Sequence, residues 1–379
     1  MFDPRVAELA RVFVDYSTRV KKGDVVLLNF YEASTYPIMK EIHKLCLLRG
    51  AKYVQCDLDF AELQRDLFDY GSDEQVSYFP QHKLDFMKQC TVFIGIRAEE
   101  NDMVLAHANH AHVNLWQKMM RPILDQRVSH TRWCITRWPT NAMAQKVKMS
   151  LEEFTDFYFR CANYDYAALK KRQAKLTRMM TRADRVHIHA SDTDLRFSIK
   201  GLPAISCHGT MNIPDGEVFT APVRDSIEGY LTYNTPSVYM GKEYGGVRLE
   251  FEKGKIVKAS CASGDDKALN AIFDTDEGAR YVGEFAIGTN TEITQPMRNI
   301  LFDEKIYGSF HFTPGMCYDE CNNGNKSAIH WDLVKLLHGD GEIAFDGKPI
   351  MRDGVFVHKD LLDLNPPREG KKKKEKGKK

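Results

Sequence analysis

No stretch of this sequence approaches the roughly 20 consecutive apolar residues of a membrane-spanning helix. The opening Met1-Phe2-Asp3-Pro4-Arg5 also lacks the charged-then-apolar pattern of a secretion signal. Cysteine is sparse and unpaired in pattern: nine residues, an odd number, lie singly apart from Cys317 and Cys321. That spacing fits reduced thiols in a cytoplasmic protein rather than a disulfide framework. Cys317-x-x-x-Cys321 also lacks the second cysteine pair that a closed zinc site would need. No serine has the G-x-S-x-G context of a serine hydrolase. The glycine-rich Gly241–Gly246 follows no strand-to-helix junction and lacks P-loop spacing, so phosphate cradling has no support. No fixed-period repeat is present. Net charge is nearly absent at +1, but unevenly so: residues 365–379 carry +6 and the remaining 364 carry −5. A mildly acidic body argues against a broad nucleic-acid surface and leaves the tail only weak contacts with acidic partners.

What is present is material for a large soluble core. The 379 residues, 43% hydrophobic and 28% charged, predict two or three domains. Val6–Lys21 has helical apolar spacing and Val25–Phe30 reads as a buried strand. A helix over Tyr36–Arg49 stops at Gly50, and Ala51–Asp57 follows as a strand. Further along come a helix at Pro80–Gln89, a strand at Thr91–Ile96, a helix at Ala98–Met120 and a strand at Arg132–Thr136. Alternation of this kind predicts an α/β domain with a mostly parallel sheet over residues 1–183. Ser150-Leu151-Glu152-Glu153 starts a helical pattern that runs to Arg182 with a break at Asn163–Asp165. Beyond Ala183 the texture changes to short alternating strands, first Arg185–Ala190 and Asp194–Ile199. Residues 184–364 are therefore expected to form a strand-rich α+β domain. Residues 365–379 read as a disordered, lysine-rich tail.

Acidic and imidazole side chains recur in apolar or turn-rich segments of the second half. His330-x-Asp332 puts an imidazole and a carboxylate on one face of an extended segment, where they can share an ion or form a buried structural pair. Glu217 follows Pro-Asp-Gly and precedes Val-Phe-Thr-Ala-Pro. Glu284 lies between Gly283 and Phe-Ala-Ile-Gly. Either carboxylate is out of place in apolar surroundings unless its charge is compensated, or it is an ordinary surface group beside a turn. Glu304 and His311 flank Gly308, as the ends of a hairpin would, and Tyr318 lies seven residues beyond His311. Together four carboxylates and two imidazoles can hold two divalent ions. Other histidines fit less well. His107, His110 and His112 do not repeat on one helix face, and His187-x-His189 has no acidic partner close in sequence.

Several separated segments resemble the M29 family of metallo-aminopeptidases. They are Asn212–Pro222, Gly245–Leu249, Asp274–Asn290, Asn299–Lys305 and Ser327–Asp332, with Trp138–Phe157 upstream. The similarity runs over about residues 5–357. It implies that Glu217, Glu284, Glu304, His311, His330 and Asp332 are metal ligands, with Glu284 bridging two ions of zinc, cobalt or manganese. It also implies that Tyr318 assists catalysis; separately, the excess of carboxylates over imidazoles suggests that a metal ion or an acidic ligand such as Glu217 can hold the substrate amine. The expected protein is a homodimer that removes residues from peptides with a free N-terminus. The Glu304–His311 segment is a residue or two longer than in the best-known members, and Tyr318–His330 is shorter. Two other readings compete: a mononuclear iron ring-cleaving dioxygenase on the same fold, and a non-enzymatic binding protein that uses the basic tail.

Overall fold

The computed structural model describes residues 3–101, 103–239 and 241–367. The chain groups into two compact units, Met1–Tyr164 with Gly209–Pro214, and Asp165–His208 with Asp215–Lys379. The expected boundary near Ala183 thus differs from this grouping. Helix Tyr166–Arg182 goes with the second unit because its buried Gln173 reaches the carbonyl oxygens of Cys207 and Glu217 at 2.9 and 3.0 Å. From residue 368 onward the basic tail lies outside the described residues.

The first unit is built on five parallel strands in the order Tyr53–Asp59, Val25–Tyr31, Val92–Arg97, Arg132–Arg137 and Asn212–Ile213. The runs Val-Val-Leu-Leu-Asn-Phe-Tyr and Val-Phe-Ile-Gly-Ile-Arg are almost continuously buried, as strands covered on both faces should be. Helix Leu151–Ala162 begins where expected, through a reciprocal capping box between Ser150 and Glu153. Two expectations need correction. The helix placed at Ala98–Met120 runs instead from His110 to His130, because the Asn109 side chain accepts from the amides of Ala111 and His112 and sets the start there. The first helix, Pro4–Arg11, passes into a wider π-helical segment at Val12–Ser17 rather than continuing to Lys21.

Among the described residues the second unit holds two large antiparallel sheets and a two-stranded ribbon, Ser237–Tyr239 with Lys242–Tyr244. One has eight strands, including Arg185–Ala190, Thr193–Ser198 and Glu342–Phe345. The other has five, in the order Val334–Leu336, Ser309–Pro314, Val282–Gly288, Glu217–Thr220 and Ile205–Cys207. Their facing sides share one apolar core. Phe197 of the larger sheet packs 5.0 Å, centroid to centroid, from both Phe285 and Phe312 of the smaller. An α/β unit together with a strand-rich α+β unit is the fold class expected from the sequence.

Candidate metal centre

The smaller sheet spends one face on that core and the other on polar chemistry. Side chains alternate along a strand, so Phe285 and Ile287, Phe310 and Phe312, and Val218 point into the core. Glu284, His311 and Glu217 then share the opposite face. The pairing register sets their spacing: Glu217 lies opposite Gly288, Ala286 lies between Phe219 and His311, and Glu284 lies opposite Thr313. Gly288 and Ala286 are small, so they leave room beneath the three polar side chains.

Glu217, Glu284 and His311 are buried, His330 and Asp332 are half-buried, and all lie close together. His311 Nε2 lies 3.1 Å from Glu284 Oε1 and 3.4 Å from Glu217 Oε2. His330 Nε2 lies 3.3 Å from both Glu284 Oε2 and Asp332 Oδ1. Two triads result, Glu217–Glu284–His311 and Glu284–His330–Asp332, and within each the potential ligand atoms lie within 4.8 Å of one another. Glu284 belongs to both. The expected pairing of His330 with Asp332 on one side of an extended segment therefore stands in the structure.

Glu304 is placed differently. It follows the short helix Ile300–Asp303 and is not the end of a hairpin; the strand carrying His311 starts only at Ser309. Glu304 Oε1 lies 2.6 Å from the ammonium of Lys305, which is 1% exposed and also bonds Glu217 Oε1. Asp215 is 3.7 Å from the same ammonium. Tyr318 sits over the other end of the site, its ring 4.9 Å from His330 and 5.6 Å from Phe219, and is 39% exposed.

Sequence reasoning passed over Lys305, Asp215 and Gln173. One signal was available: a lone lysine between Phe302 and Ile306, both fully buried, can be tolerated only if carboxylates surround it. Gln173 gave none, because it reads as one polar position among many on a basic helix. Two of the other histidines have structural partners. His112 contacts the Phe68 carbonyl at 2.6 Å and Asp73 at 2.9 Å, and His187 pairs with Asp194 across the strand turn at 2.8 Å. Contrary to expectation, His187 thus has an acidic partner seven residues on. Cys317 Sγ lies 3.2 Å from the Asn325 carbonyl.

Burial and mutual charge displace the titrations of the ion-free site. Burial opposes charge on both imidazoles, but the carboxylates around them prevail, raising His311 to about 9 and His330 to about 12. Burial lifts Glu304 to about 8 although Lys305 pulls it down, and it lifts Glu217 as well. Glu284 and Asp332 stay below their ordinary range: burial pushes each up, and neighbouring imidazoles outweigh it. Lys305 is driven well above its usual value by Glu217 and Glu304 despite burial.

The donor set fits divalent cations. Glu217 Oε2, His311 Nδ1 and His330 Nε2 are buried with no hydrogen-bond partner among the described residues, an unfavourable state unless something else satisfies them. His330 Nδ1 lies 2.8 Å from the Met316 carbonyl, and the Thr313 hydroxyl donates to Asp332 Oδ1 at 2.7 Å. Such outer bonds fix the orientation of metal-binding side chains. A third cluster, Cys207–Asp215–Glu217, fits less well. Burial pushes its thiol far above the ordinary range, and Lys305 already supplies a cation there.

A two-unit α/β protein with this buried carboxylate and imidazole set has the make-up of a metal-dependent hydrolase. The family described as Thermophilic metalloprotease (M29) matches residues 2–356, and this chain belongs to it. Aminopeptidase AmpS of Bacillus subtilis is 33% identical, covering 94% of this chain and 99% of its own length. Aminopeptidase 2 of Geobacillus stearothermophilus is 25% identical, covering 93% and 97%. Among solved structures, wild-type AmpT from Thermus thermophilus has a TM-score of 0.81 at 20% identity, covering 94% of this chain and all of that one. The 2,5-dihydroxypyridine dioxygenase of Pseudomonas putida follows at 0.59 and 14% identity, covering 94% and 98%. These two likenesses concern the fold.

Proposed function

We propose that this protein is an aminopeptidase that releases the first residue of peptides with a free α-amine, using two divalent ions. The observation that carries the reading is the pair of overlapping triads that share Glu284. Glu217, Glu284 and His311 would hold one ion, and Glu284, His330 and Asp332 the other. Glu304 is assigned the sixth ligand position, next to Glu217 on the Lys305 ammonium. The charges support this set. Four carboxylates balance two divalent cations, while Lys305 and Asp215 balance each other. Oxygen and nitrogen donors of this kind suit zinc, cobalt or manganese. The same reading expects a cytoplasmic homodimer, and among the described residues no helix is long and apolar enough to cross a membrane.

When bound, such ions lower the pKa of coordinated water and polarise a carbonyl. The side chains supply the rest. Glu217 Oε2, buried and without a hydrogen-bond partner among the described residues, would face the first ion, and the carboxylate's charge would draw the substrate's α-ammonium toward that end of the site. Burial, followed by the charges of Glu284 and Asp332, raises the Tyr318 phenol far above its usual value, so it remains a proton donor for the developing oxyanion. Lys305 keeps the Glu217 carboxylate turned in one direction.

The test uses matched peptides with free and acetylated N-termini, incubated with cation-loaded protein and followed by mass. Stepwise loss from the free N-terminus, with the acetylated peptide intact, is expected. Equal cleavage of both, or release from the C-terminal end, would reject the aminopeptidase reading.

A further inference from the structure

A cavity of about 210 Å³ opens directly beside the second triad, with His330 and Asp332 in its wall. Drug-sized ligands occupy sites from about 300 Å³ upward, so this space is on the scale of a single side chain. One wall is the ribbon Ser237–Tyr239 paired with Lys242–Tyr244. The ribbon is pinned to the site: the Trp331 indole donates to Ser237 Oγ at 2.9 Å, and the Tyr239 ring stacks on Trp331 at 4.7 Å. The facing rim is Ile300. Ile300 and Val238 are 44% and 51% exposed, an uncommon placement for two branched apolar side chains lining one cavity.

The charged groups at the far end are already engaged. Arg298 forms an ion pair with Glu243 at 3.0 Å. The buried Asp303 accepts from the Met297 amide at 2.5 Å and the Asn299 amide at 3.2 Å. The polar Thr235, Ser237 and Asn299 of the lining are bonded to the Val334 carbonyl, the Trp331 indole and the Leu301 amide, which leaves mainly apolar surface, with Val238 and Ile300 its most exposed side chains. A peptide whose amino end lies at the triads can extend its first side chain into this space.

We infer that this cavity receives the side chain of the substrate's N-terminal residue and selects large apolar residues, leucine and the aromatics, with Val238 and Ile300 setting the selection. This rests on the aminopeptidase reading above. Burying apolar atoms against these walls favours such substrates, and a few methylenes suffice for about tenfold discrimination or more. A charged first side chain would lose water, and the charged groups of the lining are already engaged, Asp332 by His330, Asp303 by backbone amides and Arg298 by Glu243.

The experiment measures kcat/KM on glycyl, alanyl, leucyl, phenylalanyl, lysyl and glutamyl amides with cation-loaded protein. Leucyl and phenylalanyl substrates should exceed glycyl by about tenfold or more. Ile300→Trp, which fills the cavity from its exposed rim, should lower the phenylalanyl-to-alanyl ratio by about tenfold. Val238→Asp should raise the lysyl-to-leucyl ratio. A second readout is calorimetric binding of the inert amino alcohols phenylalaninol and ethanolamine, where wild type should prefer the former and Ile300→Trp should lose that preference. If no substrate is hydrolysed, the aminopeptidase reading fails and this inference with it. If the panel is hydrolysed without apolar preference, or the variants leave the ratios and the binding unchanged, the cavity assignment alone is overturned.

Discussion

Glu284 is the side chain on which the proposed site depends most, because both triads use it and both imidazoles lie against it. Glu304 stands outside the triads, on Lys305. Glu284→Gln keeps the shape and removes the charge, so metal affinity and turnover should fall by about a hundredfold, the upper end of the roughly 10–100-fold that follows loss of an outer partner alone. Glu304→Gln should cost less in both. Metal analysis with steady-state kinetics on the two variants checks the order, and equal losses would remove the distinction. Away from the site, Asp24 tests a pH effect. Burial pushes its carboxyl up, but bonds from the Lys21 amide, the Thr91 hydroxyl and Arg132 more than offset this and leave it below its ordinary range. For a lowered pKa, the stabilisation is complete above the unfolded value and is lost as pH falls through the folded one. Asp24→Asn should therefore cost about 2 kcal/mol at pH 7, reduced by the partial exposure of Arg132. The gap from wild type should close in acid below about pH 4. Urea midpoints at the two pH values measure it. At this scale the sequence was largely readable, since a carboxylate in an apolar run stands out. Lys305 was not recognised, because a lysine beside two acids also looks like ordinary surface.

At the scale of elements, strand Val282–Gly288 organises the centre. Its glycines are required by close approach. A Cβ at Gly288 would lie 2.0 Å from the Ile306 carbonyl oxygen, and one at Gly283 2.0 Å from that of Met316. Gly288→Ala must push the strand away from the Ile306 loop, next to Lys305 and opposite Glu217. Overpacking of this kind costs about 1–3 kcal/mol, so the variant should melt lower and bind metal more weakly. Thermal unfolding with a metal titration checks both, and an unchanged affinity would show that the strand tolerates the shift. Gly283 and Gly288 could be read from the sequence as flanks of Glu284; the carbonyl oxygens that require them could not, because they come from residues distant in the chain. The same limit explains the segment between Glu304 and His311. Gly308 suggested a hairpin, whereas a helix end and a strand start meet there, an arrangement decided by tertiary pairing with Val334–Leu336. Asn109 was a local cap signal within the expected Ala98–Met120 helix, and it marks the start that the structure shows.

For the whole molecule, composition and alternation conveyed the two architectures, a parallel α/β unit and an antiparallel strand-rich one. They did not convey that Gly209–Pro214 would return to the first sheet, since a two-residue strand has no periodicity to detect. Stability should depend on the metal. In the ion-free protein the clustered carboxylates rely on Lys305 and two protonated imidazoles for compensation, and ions that bind only the folded state add stability by mass action. Chelation should lower the melting temperature by on the order of 5–10 °C, and added metal should restore it. A melting curve indifferent to chelator would mean that these carboxylates do not hold ions.

The central claim, one shared glutamate between two cation sites, is tested most directly by counting. Chelated protein is titrated with zinc, cobalt or manganese while bound metal per chain and peptide turnover are recorded together. The account predicts that both rise to a plateau at two equivalents per chain. Full turnover at a plateau of one equivalent would contradict it.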